Sequence, residues 1–189
     1  MRRQAGNIQR FANCEHGITA MEFAIIAPVM LLLLFGIIEF SFIMLVTNVL
    51  ESATAISSRL GSTGYTADGT SREDTIMQSI AAHAGELIDT TKITISSKYY
   101  SQFNQIDQPE PWTDTNHNGI PDPGEWIDVN GNGVYDTDMG IAGYGGPNDI
   151  VVYTVSYPWT IMTPIMSNII GTNGVYTITT SAVVKNEPY

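Results

Sequence analysis

Residues 17–46 read GITAMEFAIIAPVMLLLLFGIIEFSFIMLV, and from Phe23 to Val46 this run is apolar apart from Gly36, Glu39 and Ser41. At 1.5 Å rise per residue, about 24 residues reach about 36 Å, enough to cross a bilayer core with some tilt. A cleaved secretory signal would be shorter, with a small-residue site close behind it. The nearest such pattern, Ala53-Thr54-Ala55, lies well past the run. The stretch therefore predicts one long membrane-spanning helix. Arg2, Arg3 and Arg10 precede it with a single acid, Glu15, and the chain after it is strongly acidic. Positive charge at one flank keeps that flank in the cytoplasm, so the N-terminus is expected inside and the C-terminal part outside.

The 189 residues suffice for an anchor and one modest domain. The formal net charge is −11 and no Lys/Arg patch exists to neutralise phosphates, which argues against a nucleic-acid partner. Cys14 is the only cysteine, so no internal disulfide can form. It precedes the apolar run, where a lipidated cysteine would follow one, and reads as a spectator.

Glu22 lies near one edge of the run, and Glu39 lies about 17 residues on, or about 25 Å along a helix. Both acids can snorkel to water at the interfaces. That account is incomplete for Glu22, because an acid in an apolar helix usually has a partner. The string Gly17-Ile18-Thr19-Ala20-Met21-Glu22-Phe23 resembles the processing site of type IV prepilins and pseudopilins, and Glu22-Phe23 resembles its Flp-type version. The wider stretch from Gly17 to Phe40, with Pro28 and the string Gly36-Ile37-Ile38-Glu39-Phe40, is similar to the TadE-like family of tight-adherence pilus assembly proteins, as is the chain's end from Ser181 to Tyr189. The acidic middle of the chain is not covered. The resemblance implies cleavage after Gly17 by a prepilin peptidase, so that the mature chain begins at Ile18 and has Glu22 fifth. It also implies that Glu22 pairs with the new α-amino group of a neighbouring pilin or pseudopilin subunit.

Past the membrane, Leu45, Val49, Ser52, Ile56 and Leu60 keep a helical spacing, and Gly61-Ser62-Thr63-Gly64 is a stop. Asp68-Gly69 marks a turn. Ser71-Arg72-Glu73-Asp74 reads as a helix start, with Ile76, Met77, Ile80, Ala81, Ala84, Leu87 and Ile88 following at helical spacing, so a second helix is expected over about 71–88. Strands are expected at 92–98, 149–157 and 175–184, with Pro158-Trp159 ending the middle one. The apolar segment 160–170, TIMTPIMSNII, reads as a short helix or buried loop that packs in the core or touches another subunit.

Between about 107 and 149 the chain carries nine acids and no Lys or Arg. Here Asp114-Thr115-Asn116-His117-Asn118-Gly119-Ile120-Pro121-Asp122-Pro123-Gly124-Glu125 matches the calcium-loop pattern. Asp114, Asn116, Asn118 and Asp122 supply side-chain oxygens, Ile120 a carbonyl and Glu125 a bidentate end. Alternate side chains of a tight loop converge on one point, and the sixth-position glycine permits the sharp turn. His117 is expected at the surface. A second copy, about 14 residues later, offers Asp128, Asn130, Asn132, Val134 and Asp136, and Trp112-Thr113-Asp114 corresponds to Trp126-Ile127-Asp128. Met139 stands where the last Glu would fall, so that ligand must be Asp138, water or a group from elsewhere. Pro109, Pro111, Pro121 and Pro123 oppose the flanking helices of an ordinary EF-hand.

The expected architecture is α+β: a leader at 1–17, a membrane and extended helix at 18–60, a helix and first strand at 61–106, a loop-rich acidic insert at 107–148, and C-terminal strands at 149–189 closing a short antiparallel sheet. With the resemblance, this implies a non-catalytic, pseudopilin-like protein of the bacterial inner membrane. Its N-terminus would be cytoplasmic, its C-terminal domain periplasmic, and its partners membrane lipid, a prepilin peptidase and other pilin-type subunits, with one or two Ca²⁺ ions in the insert. The alternative is a membrane-anchored calcium-binding adhesion module that never enters a pilus. A periplasmic enzyme is a third possibility, but His83 and His117 come without a nucleophile motif, and Asp107 and Glu110 lack the spacing of a carboxylate pair.

Overall fold

The computed structural model describes residues 16–66, 69–85 and 88–188, with side chains from Thr19 onward. Cys14 and most of the expected leader, together with Asp68 and Leu87, lie outside the described residues. The fold is α+β: helix α1 (His16–Ser62), helix α2 (Arg72–Ala84), and strands β1 (Thr94–Tyr100), β2 (Ile141–Ala142), β3 (Ile150–Thr160) and β4 (Val175–Lys185). The chain divides into two compact units, Met1–Phe42 with Thr160–Tyr176, and Ile43–Trp159 with Thr177–Tyr189.

In the first unit α1 is long and apolar enough to cross a membrane. Its side chains are exposed almost all round: Ile25, Val29, Leu33 and Ile37 are each more than half exposed. A helix apolar on every face and uncovered by protein suits lipid rather than water. Pro28 sits inside it without ending it. Glu39 is the exception to the exposure, with only 1% of its surface accessible.

The second unit holds the core. One face of α1, formed by Ile43, Val46, Leu50 and Ala53, packs with Ile76, Ile80 and Ala84 of α2 and with Val151, Tyr153, Val155 and Tyr157 of β3. The 3-and-4 spacing of these α1 positions is that of a helix stripe facing a core. The stripe is rotated from the one read in the sequence, since Leu45 and Ile56 are each 44% exposed. Small and hydroxyl-bearing residues explain the rotation. Ala53, Thr54, Ser57 and Gly61 are buried, and a Cβ at Gly61 would collide with the Tyr153 ring. Thr54 meets Thr180 of β4 at 3.0 Å and Ser57 donates to Ser79 of α2 at 2.9 Å, so buried polar atoms are matched. A count of apolar residues alone misses such a face.

α2 begins as expected: Ser71 accepts from the Asp74 amide at 3.0 Å, and the Asp74 side chain reaches back to the Ser71 amide in a capping box. The helix ends at Ala84 rather than near 88, and Ile88 joins the core from beyond its end. The first strand begins at Thr94, because Thr90–Lys92 form a 3₁₀ turn capped by Asp89, whose carboxylate accepts from the Thr91 amide at 3.1 Å.

The sheet has strand order β2-β1-β3-β4, with β1 antiparallel to both its neighbours. β3 alternates buried and half-buried residues from Val151 to Tyr157, the pattern of a strand with one face in the core. It runs through Pro158 to Thr160 instead of stopping there. Its pairing with β1 ends at Ser156 opposite Thr94, so Pro158 lies where no β1 partner needs its missing N–H. β2, too short for any periodicity, pairs with Lys98 and Tyr99 on the outer edge of β1.

Candidate functional site

Two groups of residues carry chemistry. The first is the start of α1. Gly17 and Ile18 lie in its first turns, with the Ile18 side chain outside the described ones. Glu22 is exposed and Phe23 is 61% exposed. Among the described residues Glu22 has no ion-pair partner. An acid on the exposed face of an apolar helix is costly in lipid unless it reaches water or a partner.

The second group is the acidic insert, whose two loops share one hydrogen-bond frame. In the first, Asp114 Oδ1 accepts from the Asn118 amide at 3.1 Å and Oδ2 from the Gly119 amide at 2.9 Å. In the second, Asp128 Oδ1 accepts from the Asn132 amide at 3.1 Å and Oδ2 from the Gly133 amide at 2.8 Å. Asn116 and Asn118 both donate to Asp122 Oδ2 at 2.7 Å; Asn130 and Asn132 donate to Asp136 Oδ2 at 2.5 and 2.6 Å. The Ile120 and Val134 amides each donate to the Asn two residues back at 2.8 Å. The left-handed backbone recurs too. His117 and Gly131 have φ of 62° and 76°, and Gly119 and Gly133 have φ of 76° and 80°. The sixth position needs glycine because L side chains rarely adopt this region. His117 is exposed, as its place in the sequence predicts.

The closing carboxylates complete the correspondence. Glu125 accepts at Oε1 from the Thr115 amide (2.9 Å) and from the Thr115 hydroxyl, and at Oε2 from the Asp122 amide (3.2 Å). These hydrogen bonds, the Thr115 hydroxyl foremost, hold its carboxyl below the usual glutamate range. In the second loop the same places are taken by Glu110, which accepts from the Val129 amide at 2.7 Å and the Asp136 amide at 3.2 Å. The residue missing from the end of the second loop is thus supplied from upstream of the first. Glu110 is buried, with 1% of its surface accessible. The loops are tied together by a Trp112–Trp126 bridge and by the Tyr135 ring, edge-on to Trp112 at 6.4 Å and to Trp126 at 6.1 Å.

Asp138, a candidate ligand of the second loop, borders a cavity of about 380 Å³ with Asn130, Asn132 and Asp136. Its carboxylate is nevertheless committed to the sheet edge: Lys98 Nζ donates at 2.6 Å, the Tyr100 hydroxyl at 2.9 Å and the Gly140 amide at 3.1 Å. Burial opposes ionisation of Asp138, yet these donors outweigh it and lower its pKa. The Tyr100 hydroxyl is shifted upward, first by burial and then by its bond to Asp138. Among the described residues no three His, Cys, Asp or Glu side chains gather around one point. The Asn116 and Asn118 amide nitrogens face Asp122, while their oxygens, which a cation would require, accept from the Asn118 and Ile120 amides.

In the sequence, only the need for a group from elsewhere to close the second loop, where Met139 stands, points toward Glu110. No spacing rule connects it to Val129 and Asp136. No curated protein and no solved structure matches the chain. The family model described as TadE-like protein matches residues 17–59, so that this chain is similar to that family over α1 from Gly17 to Arg59, the stretch that carries Glu22 and Glu39.

Proposed function

We propose that the protein is a non-catalytic, pseudopilin-like component that takes part in assembling a tight-adherence pilus or related secretion system from the bacterial inner membrane. The observation that carries this reading is the TadE-like match over residues 17–59, which begins at the glycine of the Gly17–Glu22 pattern and continues along an apolar, exposed helix. In this reading a prepilin peptidase cuts after Gly17, and Glu22 pairs with the Ile18 amine of a neighbouring subunit. Glu22 thereby gains the partner that an acid in lipid requires. The N-terminus stays cytoplasmic and the domain beyond the membrane is periplasmic. The mature protein is expected to begin at Ile18 by N-terminal mass spectrometry in cells that contain the peptidase. Glu22→Ala is expected to leave the protein in the membrane and to abolish its part in assembly. An intact Met1 start, or normal assembly by the Glu22 variant, would sink this reading and favour a simple anchored module.

We also propose that the insert takes up calcium, one ion in each loop, whether the protein works in a pilus or as an anchored adhesion module. The duplicated frame favours this. Asp114, Asn116, Asn118, Asp122 and Glu125, with the Ile120 carbonyl, form one donor set of hard oxygens. Asp128, Asn130, Asn132, Asp136 and Glu110, with the Val134 carbonyl, form the other. Calcium would also offset repulsion among nine acids that have no Lys or Arg among them in sequence. Calorimetry on the full chain in detergent should give binding in the range of about 10⁻⁴–10⁻³ M, typical of extracellular modules. Asp114→Ala should remove the heat of the first loop. No heat, or heat unchanged by that substitution, ends the calcium proposal and leaves the pilus reading untouched.

A further inference from the structure

The segment between β3 and β4 carries six large apolar residues, Ile161, Met162, Ile165, Met166, Ile169 and Ile170. No charged residue occurs from Ile150 to Val184. Met162, Ile165 and Ile169 are 62%, 51% and 63% exposed, while Ile161 and Met166 are buried. The expected core loop is therefore only half core. It lies in the same compact unit as the membrane part of α1 and is fastened to it. Glu39 Oε1 and Oε2 accept from the Met162 amide at 3.2 and 3.1 Å, and Oε2 accepts from the Thr163 amide at 3.2 Å and the Thr163 hydroxyl at 3.3 Å. A Cβ at Gly36 would stand 3.8 Å from Met166 Sδ.

The place of attachment fixes a depth. Gly36 and Glu39 lie about 21 and 25 Å along the helix from Glu22. With Glu22 at one boundary of a hydrocarbon layer about 30 Å thick, both fall inside that layer, toward its far side. A segment docked there meets lipid, and non-helical backbone survives in lipid only where its polar groups are matched. The segment meets this condition at many of its amides. Ile161 N donates to Gly174 O at 2.9 Å, Ser167 N to Thr163 O at 3.0 Å, Ile169 N and Ile170 N to Met166 O at 2.9 and 2.8 Å, and Thr172 N to Val175 O at 2.9 Å. The Ser167 hydroxyl and the Asn168 amide group both donate to Pro164 O.

We propose that residues 160–174 form a wedge that enters the half of the bilayer farther from Glu22, beside α1. Met162, Ile165 and Ile169 contact acyl chains, and Glu39 clamps the wedge by its backbone. This rests on reading α1 as a membrane span. It gives Glu39 a role distinct from that of Glu22: its carboxylate is satisfied within the chain.

The test uses the full chain with Cys14→Ser, reconstituted in phosphatidylcholine–phosphatidylglycerol vesicles. A single cysteine carrying an environment-sensitive fluorophore is placed by Ile169→Cys, by Leu33→Cys on α1, or by Thr137→Cys in the insert. Spin-labelled lipids are the quenchers. Quenching at 169 should come within about twofold of that at 33, the two lying in one hydrocarbon layer, with none at 137. A water-like probe at 169 beside a quenched one at 33 overturns the wedge alone. So does a dry but unquenched probe at 169, which would mean a neighbouring protein covers it. No quenching at 33 overturns the membrane reading of α1 and the wedge with it. Glu39→Ala should lower quenching at 169 several-fold while leaving 33 unchanged; equal quenching at 169 overturns the clamp.

Discussion

Glu110→Ala is expected to destabilise the domain by about 3 kcal/mol, because a buried carboxylate that accepts from two backbone amides is removed and both donors lose their acceptor. The amides belong to Val129 and Asp136, at opposite ends of the second loop. Their loss should loosen that loop and leave the frame around Asp114 and Asp122 in place. Glu110→Gln keeps one acceptor oxygen and turns an amide donor toward the other N–H, so it should cost roughly half as much. Glu125→Ala removes the equivalent bonds from a more accessible carboxylate and should have the smaller effect, because water can replace what it supplied. Thermal and urea unfolding of the full chain in detergent measure these differences. Equal losses for the Glu110 and Glu125 variants would refute the unequal roles assigned to the two carboxylates.

Arg72→Ala should cost a similar amount, about 3 kcal/mol, since charge-assisted hydrogen bonds contribute roughly 1.5–3 kcal/mol each and several are lost together. The guanidinium donates to Gly61 O at the end of α1, to Asn186 Oδ1 at 3.0 Å and to Tyr144 O at 3.4 Å. It also lies over the Tyr144 ring, 5.4 Å from the centroid. Asn186 is itself buried and donates to Tyr144 O and Gly146 O, both at 2.9 Å. One side chain thus gathers the end of α1, the start of α2, the exit of the insert and the C-terminal strand. Arg72→Lys should recover less than half of the loss, because a single ammonium cannot span a fork of acceptors. Hydrogen exchange at residues 144–149 and 186 should rise in both variants. Unchanged protection there, with an intact melting temperature, would exclude the role assigned to Arg72.

The first residue of α2 is an unfavourable place for a cation, since the helix N-terminus is the positive end of its dipole. Read locally, Arg72 is an irregularity in an otherwise good start made by Ser71, Glu73 and Asp74. Its contacts, across separations from 11 to 114 residues, make it a hub. The rotated face of α1 has a similar origin. Leu45 and Ile56 look like the natural core stripe, yet Ala53, Ser57 and Gly61 face inward, because close approach favours small residues and paired hydroxyls over apolar bulk.

Local spacing was enough for the features that depend on near neighbours. These are the apolar length of α1, the helix start at Ser71, the alternation along β1 and β4, the β-branched and aromatic run of β3, and the twin loops with glycine at the sixth position. Each rests on backbone geometry repeated over a few residues, and composition expresses it directly. Spacing could not reveal the acceptors and donors that meet across the chain. By spacing alone Glu39 reads as an acid at a membrane boundary; in the fold the amides of Met162 and Thr163, more than 120 residues away, donate to it. Asp138 reads as a candidate to close the second loop, but Lys98 and Tyr100 hold it and Glu110 occupies the closing place. A carboxylate's role is set by which N–H groups surround it, and that arrangement exists only once distant segments have packed together.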